Sequence, residues 1–387
     1  MMKSLCIGFI LAVLAIGAGA QEISIRIYST QRVRSFVLSP VDGKYRLMCD
    51  SLEICKMKRH NVILVDMIGD SIQVRSLDEK FGVYSHIELY GVGKNNYFRI
   101  KSIDPDFEPR DYDDNLHVLV MGGSLLIIND VDIENYVAGV VQSEGGINSP
   151  AEYYKSQAII CRTYTLENLF RHIQEDYNLC DDVHCQAYHG KSLRSEEITK
   201  ATYDTKGLVI VDTSLSLITA TYHSNCGGQT SASENVWLTS RSYLKAVTDT
   251  FCLKGRCATW TKDIPTAEWI EYLKSYGIKP DPGAYDLGNY SFYQPSRKQY
   301  YKFKNDSIAF KLIRQDLKLR SAYFDVIQQD GVVHLKGKGY GHGVGLCQEG
   351  AMEMARRGYS YEDIIYFYYK NTYIVSLRAL EFFRNEE

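Results

Sequence analysis

The sequence predicts an α+β protein in which a small β-rich amino-terminal domain, residues 21–110, precedes a larger mixed α/β domain, residues 111–387. Three observations predict it. Residues 23–103 are built from short alternating segments separated by turn-like stretches, the pattern of a small β domain. Helix-capping signals are found only in the later part of the chain, at Ser149 and Ser360. The chain has 387 residues, more than the roughly 150 that a single core usually serves, which points to two domains.

Taken in order, residues 1–20 read as a secretory signal peptide: Lys3, an apolar run over 5–16, then Ala18, Gly19 and Ala20. That run falls short of the roughly 18 residues needed to span a bilayer, and no later segment is apolar enough to do so. The expected product is exported, with no transmembrane segment, and its mature part starts near Gln21. Strands are expected over 23–28, 45–49, 71–75 and 97–103, with turns at Asp42-Gly43 and 91–96. Residues 104–114, charged and carrying Pro105 and Pro109, read as a linker. A hairpin around Gly122-Gly123 joins 116–121 to 125–128. Ser149 as N-cap, Pro150 at the first helical position and Glu152 three residues after the cap predict a helix whose apolar stripe runs to Ile173. Strands resume at 208–211 and 217–222. Two helices, 348–357 and 360–369, meet at Gly358, the second capped by Ser360 with Asp363 in its first turn.

Composition excludes some functions. With 44 basic and 47 acidic residues there is no electrostatic case for nucleic acid, which calls for a basic patch or a high pI. The 30 tyrosines suit packing between strands and stacking on sugar rings equally well. Nine cysteines follow the signal segment, so in an oxidising compartment at least one is free, metal-bound or paired between chains. Cys49 with Cys55, and Cys252 with Cys257, are close enough in sequence for bridges, but spacing alone does not decide pairing.

Four segments carry chemistry. Glu144, in VVQSEGGINSP, lies between an apolar segment ending at Val141 and the helix starting at Pro150. A carboxyl in a cleft beside apolar surface keeps its proton at higher pH and can protonate a leaving oxygen; an ordinary solvated loop glutamate explains the same residue. In CDDVHCQAYHG, Cys180, His184 and Cys185, with His172 upstream and His189 beyond, offer the thiolates and imidazoles that zinc prefers. A disulfide between Cys180 and Cys185, or two buried thiols, explains them as well. Cys226 in YHSNCGGQT lacks every local signature of a cysteine-protease nucleophile. In GYGHGVGLCQEGA, five glycines surround His342 and let the backbone approach a ligand or another strand closely.

Together these segments resemble the stage II sporulation protein D and amidase-enhancer family. VVQSEGGINSPAEYYKSQAIICRTYTL is similar to its VxxSExP pattern and the helix that follows, CDDVHCQAY to its cysteine-glutamine element, YHSNCGGQT with ENVW and SYLKAV to its strand-turn element, and GHGVGLCQEGA to its GHGxGxxQxGA element. The resemblance runs from about residue 132 to 372. It implies a catalytic groove and a peptidoglycan lytic transglycosylase, which cuts between N-acetylmuramic acid and N-acetylglucosamine and leaves a 1,6-anhydro end. It gives Glu144 the acid/base role and a Zn²⁺ site to His172, Cys180 and Cys185, with His172 preferred to His184. Motif position makes Gln186, Tyr188, Ser224 and His342 substrate contacts. The family also includes enhancers that stimulate a separate wall amidase, so a non-catalytic wall-binding modulator is the alternative. Gln142 stands where the family has proline, and Gly145-Gly146 replace Met-Pro, which predicts a looser loop around Glu144.

Overall fold

The computed structural model describes residues 21–237, 239–278 and 290–384; the expected signal peptide lies outside them. Alternation of apolar and polar residues drives the amino-terminal half into one sheet. In Glu22–Ile27 every second residue (Ile23, Ile25, Ile27) is buried, as period-2 side-chain geometry requires. Eleven strands join this sheet. Its centre is the antiparallel pair Ser35–Cys49 and His86–Asp104. One wing adds Asn115–Met121, Ser124–Asp132, Glu22–Ile27 and the two-residue Leu179–Cys180, which runs parallel to the amino-terminal strand.

The fold class is α+β as expected, and several local expectations are sharpened. The sheet and its core pass through residue 110 without a break, since Arg110–Asp113 is itself a strand paired with residues 97–100. The segment expected as a linker is therefore a tight turn followed by sheet. Asp42-Gly43 and residues 91–96 are not chain reversals. They are irregular points inside two long strands, where the register shifts twice between Pro40 and Lys44 and Gly43 takes φ +80°. A Cβ on Gly43 would lie 1.9 Å from Asn96 Oδ1, so the bulge depends on glycine there. The Gly122-Gly123 hairpin forms as expected, with both glycines at positive φ (59° and 77°), the geometry that matches strand twist.

Helices pack on this sheet. Ile133–Gly145 is capped by Asp132, whose side chain accepts from the Glu134 amide. Its buried Ile133, Tyr136, Val137, Val140 and Val141 fall at helical spacing. Ala151–Glu167 starts one residue later than expected: Pro150 occupies the cap position with no side-chain cap bond, while the Ser149 amide donates to the Tyr154 hydroxyl. The stripe ends with the helix at Glu167, leaving Phe170 and Ile173 exposed. Arg162 and Glu134, both buried, clamp these two helices together. Near the carboxyl end Gln348–Arg356 and Tyr361–Tyr368 form, the latter with a full Ser360/Asp363 capping box.

A second core lies apart from the main one. Trp260, Trp269, Phe310, Phe324 and their neighbours bury themselves around the three-stranded sheet of Thr259–Pro265, Val332–Lys338 and Phe324–Gln329. The sequence expectations set no boundary there. Many of the tyrosines serve packing: Tyr45, Tyr112, Tyr136, Tyr153, Tyr188, Tyr301 and Tyr369 are among the largest fully buried side chains.

Candidate functional site

A groove of about 1070 Å³ separates the main body from the unit built on the second core. Glu144 lines it, together with Tyr222, His223 and Ser224 and with His342 of the glycine-rich loop. Arg314, Lys318 and Arg320, sequence neighbours of the second-core residues Ile313 and Leu319, line it as well, as does Trp237. Glu144 and His342 therefore face one cavity although 198 residues separate them in sequence.

Glu144 is placed by a helix and not by a loop, which corrects the sequence reading. It is the penultimate residue of Ile133–Gly145. The glycines after it end that helix tightly: a Cβ on Gly145 would meet the Tyr153 hydroxyl at 2.9 Å, and Gly146 adopts φ 68°, ψ −171°, a region open essentially to glycine alone. The carboxylate Oε1 accepts from the Ala187 amide at 3.0 Å, and the backbone carbonyl of Glu144 accepts from Gln348 Nε2 at 3.4 Å. Burial pushes the Glu144 carboxyl above the usual range, opposed by the Ala187 amide and the Tyr222 hydroxyl. The negative end of the helix dipole lies here and works in the direction of burial.

The four proposed contact residues divide into two kinds. Ser224 and His342 line the groove. The His342 ring packs 5.3 Å from Trp237 and 5.5 Å from His223. Its Nδ1 accepts from the Val344 amide at 3.0 Å, and burial with Arg314 nearby holds its pKa down at about 4, so it is neutral at pH 7. Gln186 and Tyr188 sit behind the wall. Gln186 is buried, accepts from Thr165 Oγ1 at 3.0 Å and reaches the Tyr222 hydroxyl at 3.5 Å; it orients the tyrosine next to Glu144. Tyr188 is buried against Tyr136 and gives its hydroxyl proton to Asn129 at 2.9 Å, so the ring supports the sheet and does not face the groove.

His223 was not singled out in the sequence reading. Its Nδ1 donates to the Val344 carbonyl at 3.1 Å, which leaves Nε2 an acceptor with no protein partner. Thr221 Oγ1 is likewise without a partner, and both residues line the groove. Burial lowers the His223 pKa well below that of a free imidazole, so it stays neutral. The alternation of Thr221 and His223 along an extended segment was the available signal, and the notable Cys226 beside them masked it.

The soft-ligand cluster assembles. His172, Cys180, His184 and Cys185 bring one ligand atom each within 4.8 Å of one another. Cys185 Sγ lies 3.5 Å from His172 Nε2 and 3.7 Å from His184 Nδ1, and Cys180 Sγ is also 3.7 Å from His184 Nδ1. A tetrahedral zinc with ordinary bond lengths sets such sulfur–nitrogen edges at about 3.6 Å, so the donors fit the ion. His172 Nδ1 is held by Glu175 at 2.8 Å, the carboxylate–histidine support that zinc ligands commonly have. His184 joins as a fourth donor beside the preferred His172, while His189 is not part of the group. The two cysteines are not joined in a disulfide. An ion here would pin the backbone two residues before the Ala187 amide that holds Glu144.

Residues 121–211 match the family model described as stage II sporulation protein. Over these residues the chain is similar to that family. They carry the Glu144 helix, the Arg162 clamp and the zinc-type cluster, whereas Ser224 and His342 lie beyond the matched segment. The chain is 28% identical over 263 residues to stage II sporulation protein D of Bacillus subtilis, covering 64% of this chain and 75% of the relative. It is 28% identical over 270 residues to an uncharacterized protein of Brachyspira hyodysenteriae, covering 68% and 72%. The amidase enhancer of Bacillus subtilis is 28% identical over 289 residues, covering 62% of this chain and 40% of the enhancer. Among the described residues no helix is long and apolar enough to cross a membrane.

Proposed function

We propose that this protein is exported and acts on the cell wall as a peptidoglycan lytic transglycosylase, with Glu144 as its acid/base. The observation that carries this reading is one half-buried carboxyl, biased toward its protonated form, on the floor of a large groove. Glu144 gives its proton to the glycosidic oxygen as the C1–O bond breaks. The carboxylate then takes the proton of the muramic 6-hydroxyl while O6 bonds to C1, leaving the anhydro end and a restored Glu144. One carboxyl suffices for both steps, unlike ordinary glycoside hydrolysis with its pair. The other groove acid, Glu167, is exposed and hydrogen-bonded to Thr219 and Asn168.

The lining suits a glycan bearing carboxylates. Tyr164, Tyr222, Trp237 and Tyr340 supply aromatic faces for sugar rings, and Arg171, Arg314, Lys318 and Arg320 supply cations. The unpartnered His223 and Thr221 atoms are acceptors for sugar hydroxyls. Zinc held by His172, Cys180, His184 and Cys185 would cross-link the segment that presents Ala187.

A second reading, a wall-binding modulator of an amidase, is favoured by the relative named amidase enhancer. The test is incubation of the mature protein with purified glycan strands, with and without stem peptides, read by mass spectrometry. The transglycosylase reading expects anhydromuramyl products from the wild type and loss of at least 100-fold in Glu144→Gln, the scale of general acid–base catalysis. Binding of strands without products, by wild type and variant alike, supports the modulator instead.

A further inference from the structure

A second cluster of metal-binding side chains lies behind the groove, on segments that share nothing with the first. Cys226 follows the strand Tyr222–His223, Asp249 and Cys252 flank the start of a short 3₁₀ turn, and Cys347 ends the glycine-rich loop. All four are fully buried, and their ligand atoms lie within 4.8 Å of one another. Cys226 Sγ is 3.3 Å from Cys252 Sγ and 3.2 Å from Asp249 Oδ2.

We propose that Cys226, Asp249, Cys252 and Cys347 form a second, structural zinc site. Three sulfurs and one carboxylate oxygen make a donor set suited to a tetrahedral, thiophilic divalent cation. The ion would spread the two short contacts to edges of about 3.6–3.8 Å, a movement of about half an ångström. The surroundings are those of an anionic site. The Cys226 amide points at Cys347 Sγ from 3.2 Å. Asp249 is fixed by the Phe251 amide and the Tyr368 hydroxyl, each at 2.9 Å. The Arg297 guanidinium bonds the Cys226 carbonyl at 2.7 Å and supplies a neighbouring positive charge.

Two simpler accounts leave something unexplained. A Cys226–Cys252 disulfide would use two sulfurs and leave Cys347 and the Asp249 carboxylate facing it without purpose. Neutral thiols alone would leave a fully buried carboxylate held by one amide, one tyrosine hydroxyl and a weak thiol donor with no cation against it, a costly arrangement that a bound ion relieves. The bound ion would tie together the turn that carries His223 and Ser224, the 250s loop and the loop that carries His342. Cys347 also precedes Gln348, which bonds the backbone of Glu144.

The mature chain, purified without chelator, should contain two zinc ions by native mass spectrometry and elemental analysis. Cys252→Ser and Cys347→Ser should each remove one equivalent, and Cys180→Ser should remove the other. Because these variants can fail to fold, the wild type supplies an independent readout: Cys226, Cys252 and Cys347 should resist alkylation until a chelator strips the metal. The proposal is overturned by a single zinc that disappears in Cys180→Ser, by a Cys226–Cys252 disulfide in the unreduced peptide map, or by alkylation rates that ignore the chelator.

Discussion

Removing Arg162 tests whether the groove depends on a buried charge clamp. Its guanidinium is fully buried, donates to both Glu134 carboxylate oxygens and also to the Leu208 and Thr202 carbonyls at 3.0 and 3.2 Å. Glu134 in turn accepts from the Gly207 amide at 3.2 Å. Arg162→Met therefore leaves a buried carboxylate without its cation, and a loss of one partner from such a pair costs about 3–5 kcal/mol. Glu134→Leu should cost a similar amount. In the double variant no charge is stranded; what remains are two backbone groups without these partners, the Leu208 carbonyl and the Gly207 amide, at about 1 kcal/mol each, since the Thr202 carbonyl still accepts from the Thr205 amide and hydroxyl. The double variant should thus lose about 2 kcal/mol, far less than the sum of the singles. Urea unfolding followed by far-ultraviolet circular dichroism is the suitable assay, because Trp260 and Trp269 belong to the second core and their fluorescence reports that unit. Costs below about 1 kcal/mol for the single variants, or strict additivity in the double, would refute the clamp, since stranded buried charges cannot behave that way.

Because burial raises the Glu144 pKa, the folded state holds this proton more tightly than the unfolded chain, so its stabilising contribution is full at low pH. It is lost as pH rises from the unfolded carboxyl value, about 4.3, through the folded value; Glu144→Gln should gain stability relative to wild type over that interval, and a flat difference would contradict the raised pKa. If Glu144 is the general acid of the proposed mechanism, the same sign makes turnover of glycan strands fall as pH rises through the folded value. Gly337→Ala would place a Cβ 1.8 Å from the Trp260 ring, so the second unit should lose about 1–3 kcal/mol from overpacking, seen as an earlier transition in tryptophan fluorescence; an unshifted transition would show that Trp260 has room to move.

Much of this fold is written in local sequence. The alternation in Glu22–Ile27, the paired glycines of the hairpin and the Ser360/Asp363 box each act through neighbours a few residues away, so the sequence alone determines them. Asp42-Gly43 was misread for an equally local reason: a bulge and a reversal both ask for glycine at positive φ, and only the partner strand decides between them. The helix Ile133–Gly145 is legible in principle, with Asp132 as cap and apolar residues at helical spacing, although local sequence marks it only as an apolar segment ending at Val141.

The site is divided the same way. Glu144, the Cys180/Cys185 pair and the His342 loop stand out as candidates by residue type and spacing, because donor sets and glycine-rich loops are chemical facts of short segments. Which of them meet was decided by tertiary structure. Burial sets the protonation of Glu144, aligns its Ala187 donor and sends Gln186 and Tyr188 behind the wall while His223 faces the groove. Convergence of Cys226, Asp249, Cys252 and Cys347 depends on loop closures across more than a hundred residues, and no local spacing encodes a contact at that range.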